Sequence, residues 1–208
     1  MKIIKTLFLL LLCTAAFAQK KELPEDVVAS IKSRIEFGLT PSIVVGIIDK
    51  DGMHFYSFGT KTVGGEPEDE HSIYEIGSIS KTFTAALLAD NIVKGKMKVD
   101  DPISKYLPAS VKVPTYKGGG PPITLGHLSD HTSSLLRMPT NMPESDPTDP
   151  AADYTPELMY AFLSSYELPR EVGSEYEYSN FAVGVLGQIQ ALAAGTSYEE
   201  ALTSVITS

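Results

Sequence analysis

Tryptophan is absent from the 208 residues, and cysteine occurs once, at Cys13. A single cysteine closes no internal disulfide, so the fold has to be held by packing. No apolar run approaches the roughly 20 residues of a membrane-spanning helix. Positive charge is scarce as well: 17 Lys and Arg stand against 26 Asp and Glu, a net charge of −9, with no basic cluster. That balance argues against nucleic-acid binding, because phosphate contacts need lysine and arginine. What is present is globular in proportion, 43% hydrophobic and 21% charged, which excludes a wholly disordered or collagen-like chain.

The first 18 residues carry a basic start (Lys2, Lys5), an apolar run from Leu7 to Leu12, and Ala16-Phe17-Ala18 before Gln19. This three-part pattern is that of a secretory signal with an A-x-A cleavage site after Ala18. Cys13 is a poor lipid-attachment point, since Leu12 stands where a small residue is expected. The expected product is an exported, cysteine-free domain over residues 19–208, its net charge taken to −11 by the loss of Lys2 and Lys5.

Along that domain, Val27, Val28, Ile31 and Ile35 recur at helical spacing between Pro24 and Gly38. Ser42–Ile48 and Met53–Phe58 flank the turn signal Asp49-Lys50-Asp51-Gly52 and predict a β-hairpin. From Ile76 the pattern is helical. Phe83, Leu87, Leu88 and Ile92 form one stripe, Ile123–His131 predicts a short helix, and Thr155-Pro156 opens another. Phe181 to Leu192 forms a further stripe closed by Gly195, and Ser197-x-x-Glu200 is a capping box opening a last helix. Four prolines between Pro139 and Pro150 predict a long irregular acidic loop. The class is α+β, an N-terminal helix and hairpin followed by a helical part.

Two groups of residues could carry chemistry. Gly77-Ser78-Ile79-Ser80-Lys81 places Ser78 and Lys81 three apart at a helix start, so both side chains share one face. A serine hydroxyl is a weak nucleophile until a base takes its proton, and a desolvated lysine can serve. The helix N-terminus adds partial positive charge where an oxyanion would form. Tyr178-Ser179-Asn180 is the second group. A phenol beside a Ser/Lys pair can relay protons, and an asparagine amide can hold a substrate carbonyl. Taken singly, each group reads as well as a helix cap with a core tyrosine.

Taken together and in this order, they resemble the serine β-lactamase-related family, which includes class C β-lactamases, D-Ala-D-Ala carboxypeptidases, D-aminopeptidases and esterases. Gly77-Ser78-Ile79-Ser80-Lys81-Thr82-Phe83-Thr84 resembles the family's nucleophile motif, and Glu177-Tyr178-Ser179-Asn180-Phe181 its Y-x-N motif. Gly95-Lys96-Met97-Lys98-Val99-Asp100-Asp101-Pro102, Tyr106-Leu107-Pro108, Ile123-Thr124-Leu125-x-x-Leu128 and His131-Thr132-Ser133 match blocks between them. The resemblance implies a β-lactamase/penicillin-binding-protein-like fold and two-step acyl transfer without metal or other cofactor. It implies Ser78 as acylated nucleophile, Lys81 as its activating partner, Tyr178 as proton relay and Asn180 as holder of the substrate amide. The Ser78 backbone N–H becomes half of an oxyanion hole. The implied partner is a small-molecule or peptidoglycan-peptide substrate.

Two departures stand out. Ser133-Ser134 follows His131-Thr132 where the family has Ser-Gly, which is expected to alter a tight turn. The family's third motif, His or Lys, any residue, then Gly on a strand, is missing. Lys117-Gly118-Gly119 precedes Tyr178 in a glycine loop, and Lys61-Thr62-Val63 lacks the glycine. With the chain stopping inside a helix and only one hairpin of sheet, an incomplete family member with its C-terminal strands missing is expected, and a poor enzyme as it stands. A domain that binds without turnover is the competing class. His127 and His131, four apart, lack the further ligands zinc requires, so no metal site is expected, and Ser129-Asp130-His131 lacks the asparagine of an S-D-N motif.

Overall fold

The computed structural model describes residues 22–143, 148–149 and 151–206. The expected export signal and Cys13 lie outside the described residues, as does part of the proline-rich loop. The chain divides into two compact units, residues 1–75 and residues 76–208.

In the first unit, helix α1 (Glu25–Glu36) starts after Pro24 with Glu25 and Asp26 in its first turn, where acidic groups favour the helix dipole. Strands β1 (Ser42–Asp49) and β2 (Gly52–Gly59) pair antiparallel with Ser42 opposite Gly59 and Asp49 opposite Gly52. The Lys50-Asp51 turn is closed by the Asp49 carboxylate, which accepts the Asp51 N–H at 2.9 Å. This hairpin is the one sheet among the described residues. Ser42 is buried and hydrogen-bonds the Glu68 carboxylate at 2.9 Å.

The second unit holds the apolar core. Helices α2 (Ser80–Val93), α3 (Leu125–Ser129), α4 (Pro156–Ser165), α5 (Asn180–Ala194) and α6 (Tyr198–Ile206) follow in order. Helix α5 is apolar on nearly every face and buries Phe181, Ala182, Val183, Val185, Leu186 and Ile189, as a central helix must. Its ends are written in the sequence. The Ser179 hydroxyl accepts the Ala182 N–H at 2.9 Å, and Gly195 closes the helix at φ 68°. Around it pack Leu88, Met97, Ile103, Leu125, Leu128, Leu135 and Leu163. Gln190, buried on α5, donates to the Thr84 carbonyl of α2 at 3.1 Å, and Thr84 hydrogen-bonds Tyr198 of α6 at 2.7 Å.

The expected caps of α4 and α6 form, with Thr155 accepting from Leu158 N–H and Ser197 and Glu200 bonding each other's backbone N–H. The predicted helix over 123–131 is shorter than its pattern. Thr124 caps it, and after Ser129 the chain leaves the helix, with His131 at φ 65°.

Candidate active site

Gly77 adopts φ 52°, a conformation that costs other residues, and turns the chain into a 3₁₀ turn over Gly77–Ile79 that runs into α2. Ser78 stands in this turn, exposed, and Lys81 lies in the first turn of α2. The spacing of three brings Lys81 Nζ to 3.2 Å from Ser78 Oγ. Tyr178 arrives from 100 residues away. Its hydroxyl donates to Ser78 Oγ at 2.6 Å.

The segment bearing Tyr178 and Asn180 is fixed before α5 begins. Glu177 N–H donates to the His131 carbonyl at 2.8 Å and Ser179 N–H to His131 Nδ1 at 3.2 Å. Asn180 and Phe181 N–H both donate to the Arg137 carbonyl, at 2.9 and 3.2 Å, while the buried Ser179 hydroxyl donates to the Leu136 carbonyl at 2.6 Å. Arg170 pairs with Glu177 in the same segment. These bonds join the 131–137 loop to the start of α5.

Nitrogenous side chains surround the phenol. Lys81 Nζ lies 5.0 Å and Arg137 Cζ 5.1 Å from the centre of the Tyr178 ring, and the His131 ring lies 4.5 Å away at 35°. The Tyr178 pKa is lowered from its ordinary 10.0, chiefly by hydrogen bonding to Lys81, then by the Ser78 bond and the charges of Lys81 and Arg137. A phenol so placed can exchange a proton with the hydroxyl it touches. Asn180 is turned elsewhere: its amide donates to Met138 Sδ at 3.3 Å. With Lys81 it lines a cavity of about 480 Å³ that also takes in Tyr154, Met159 and Tyr198. So the structure brings Ser78, Lys81 and Tyr178 into one hydrogen-bonded group and sets Asn180 on the wall beside it.

The other candidates lie apart from the Ser78–Lys81–Tyr178 group of hydrogen bonds. His127 Nδ1 is engaged with the Thr124 cap at 3.0 Å, and His131 lies past the end of α3. Among the described residues no three His, Cys, Asp or Glu gather in a metal-holding group. Asp130 accepts from Thr132 N–H and its hydroxyl, and Lys117 pairs with Glu167 at 2.7 Å. Ser134 takes φ 63°, the conformation a glycine would supply, so the tight turn is kept without glycine. Sequence reasoning passed over Arg137 entirely, because a lone arginine in a loop carries no periodic signal.

A family model described as Beta-lactamase matches residues 31–208. The D-alanyl-D-alanine-carboxypeptidase/endopeptidase AmpH of Escherichia coli K12 is 31% identical over 97% of this chain and 54% of its own length. A Beta-lactamase of the same organism is 28% identical over 95% of this chain and 50% of its own. Among solved structures, a Beta-lactamase/D-alanine Carboxypeptidase from Yersinia pestis superposes with a TM-score of 0.75 at 29% identity, over 88% of this chain and 52% of that one. A class C beta lactamase from Rhodobacter sphaeroides gives 0.69 at 27%, over 88% and 48%. The chain spans about half the length of the curated relatives it matches. The architecture is thus that of the β-lactamase/penicillin-binding-protein-like fold, and the chain belongs to the beta-lactamase family.

Proposed function

We propose that this chain is an exported serine hydrolase, or the part of one, that forms an acyl-enzyme on Ser78 with β-lactam, D-alanyl-peptide or ester substrates. The observation that carries the reading is that Lys81 Nζ and Tyr178 Oη both lie within hydrogen-bond distance of one oxygen, Ser78 Oγ, at 3.2 and 2.6 Å. The names of the relatives supply the β-lactam and D-alanyl-peptide classes, the ester class rests on the resemblance in sequence, and the residue pattern 1–18 supports export.

In this reading Ser78 Oγ attacks the carbonyl carbon while its proton passes to the Lys81/Tyr178 pair. The C–O bond to Ser78 forms, and the bond to the leaving group breaks as that group takes up the proton. Water then repeats the sequence, and Ser78 regains its proton as the acid is released. The Ser78 backbone N–H, in the turn before α2, is one donor to the developing oxyanion. Asn180, on the wall of the adjoining cavity, exchanges its Met138 contact for the substrate amide.

Intact-mass spectrometry of the full chain after exposure to a fluorophosphonate, and separately to a fluorescent penicillin, tests the reading. A single adduct is expected with both, lost in Ser78→Ala. Tyr178→Phe should slow adduct formation by two or more orders of magnitude, because the two groups act as one unit. A penicillin adduct that forms and is never released identifies a binding domain without turnover. Equal labelling of Ser78→Ala and the parent overturns the reading.

A further inference from the structure

We propose that His131 is a positioning residue for Tyr178, its neutral ring backing the phenol while Nδ1 accepts the Ser179 N–H. The inference rests on the reading of Ser78 and Tyr178 given above. It goes further in assigning a task to a side chain outside the Ser/Lys/Tyr group.

His131 grips both neighbours of Tyr178. Its backbone carbonyl accepts from Glu177 at 2.8 Å, and its ring accepts from Ser179 at 3.2 Å. Between these two bonds the phenol has little freedom to swing. The ring of His131 lies 4.5 Å from that of Tyr178, and the Tyr176 ring stands edge-on to His131 at 5.7 Å and 87°. A histidine between these two tyrosines fixes where the Tyr178 hydroxyl points, which is at Ser78. The backbone is held at φ 65°, a region uncommon outside glycine that asparagine, aspartate and histidine enter more readily than other residues. Such positions persist only where the surroundings impose them.

The bond from Ser179 also sets the protonation state. Nδ1 accepts, so the ring is neutral with its proton on Nε2. The groups facing it are Lys81 from α2, Tyr176, Glu177 and Tyr178 from the segment before α5, and Asp130 on its own loop. Burial, then the Lys81 charge, lower its pKa from the ordinary 6.5, against a smaller opposing effect of Asp130. Protonation would aim two donors at each other at Ser179 and add a cation near Lys81. The contribution of His131 to the acylation rate is therefore full above pH 6.5 and declines as pH falls through the lowered value.

The test uses fluorophosphonate labelling rates of the full chain between pH 8 and 5. His131→Asn keeps an acceptor near Nδ1 and tolerates the left-handed backbone, but removes the ring. It should label about tenfold more slowly at pH 8 and lose the decline below pH 6.5. His131→Ala removes acceptor and ring together and should label about a hundredfold more slowly, the scale on which a misplacement of about 1 Å acts. Far-ultraviolet circular dichroism establishes that each variant is folded. Should His131→Ala not fold, His131→Asn decides alone. Wild-type rates in His131→Asn, or an unchanged decline with pH, overturn the inference while leaving Ser78 as nucleophile. No adduct on the parent overturns the nucleophile reading itself.

Discussion

The two units differ in how they spend their apolar residues. In the unit beginning at Ile76, Ile103, Leu125, Leu128, Leu135, Leu163, Val185 and Ile189 are all sealed from water. In the N-terminal unit, Ile31 is the one buried hydrophobic side chain among the described residues, and it is still 7% exposed. Its hairpin buries Ser42 alone and leaves its other residues half-buried or exposed, and Ile48 and Met53, paired beside the turn, are 81% and 69% exposed. A two-stranded hairpin has too little face to bury its own side chains. The candidate site, itself open to water at Ser78, is carried by the well-packed unit. Ser78, Lys81, Tyr178 and His131 all belong to the second unit, where a rigid core can hold hydroxyl groups to within tenths of an ångström.

The largest expected effect sharpens that contrast. Leu186→Ala empties a site 1% exposed at the centre of α5 and should cost about 2–5 kcal/mol of stability. Ile47→Ala, on the half-buried face of β1, should cost about 1 kcal/mol or less, in proportion to the smaller apolar area it withdraws from water. Urea unfolding of both variants measures the difference. Equal costs would break the comparison and place the hairpin among the well-packed elements.

A smaller effect concerns the turn at Ser134. Holding a non-glycine residue at φ 63° costs about 1–2 kcal/mol. The Ser134 hydroxyl offsets part of this by donating to the Arg170 carbonyl at 3.0 Å, a bond worth about 0.5–1.5 kcal/mol net. Ser134→Gly should therefore change stability by less than about 1 kcal/mol, whereas Ser134→Val, with a β-branched side chain at positive φ and no hydroxyl, should destabilise by several. Thermal unfolding distinguishes them. A large loss in Ser134→Gly would show that the hydroxyl, not the backbone, governs the turn.

Much of this was legible in the sequence, for local reasons. Helix α5 announces itself through its cap, its apolar faces and its closing glycine. The Ser78–Lys81 contact follows from one turn of helix. The 3₁₀ start at Gly77 was not legible, because three residues carry the same pattern in a 3₁₀ turn as in an α-helix. The early end of α3 was hidden too: Ile123–His131 has the right periodicity, but Asp130 and His131 leave helical geometry to turn back towards Tyr178. Tyr178 was found only as part of a motif. His131 pairs in the sequence only with His127, whereas the partner of its ring is 48 residues away, and no local rule supplies that distance.

The smallest expected effect is one of pH, and it again lies in the helical unit. The Asp101 carboxylate accepts from Tyr106 Oη at 2.6 Å, Lys105 Nζ at 2.9 Å and Lys98 N–H at 2.9 Å, tying the segment before α3 into a knot. The Tyr106 bond, foremost, and the Lys105 bond lower its pKa from 3.8 to about 2. A carboxyl whose pKa falls on folding binds its proton more weakly in the native state, so its contribution is complete above pH 3.8 and is lost as pH falls through about 2. Glu68 is the counterpart in the N-terminal unit. Its pKa is lowered from 4.5, chiefly by a hydrogen bond from Ser72, and its contribution likewise fades in acid. Asp101→Asn should therefore unfold at a lower temperature than the parent at pH 6, with the gap narrowing towards pH 2. Calorimetry at pH 6, 4 and 2 measures it. A gap that stays constant over that range would mean that the side chain's geometry, and not its charge, holds the segment.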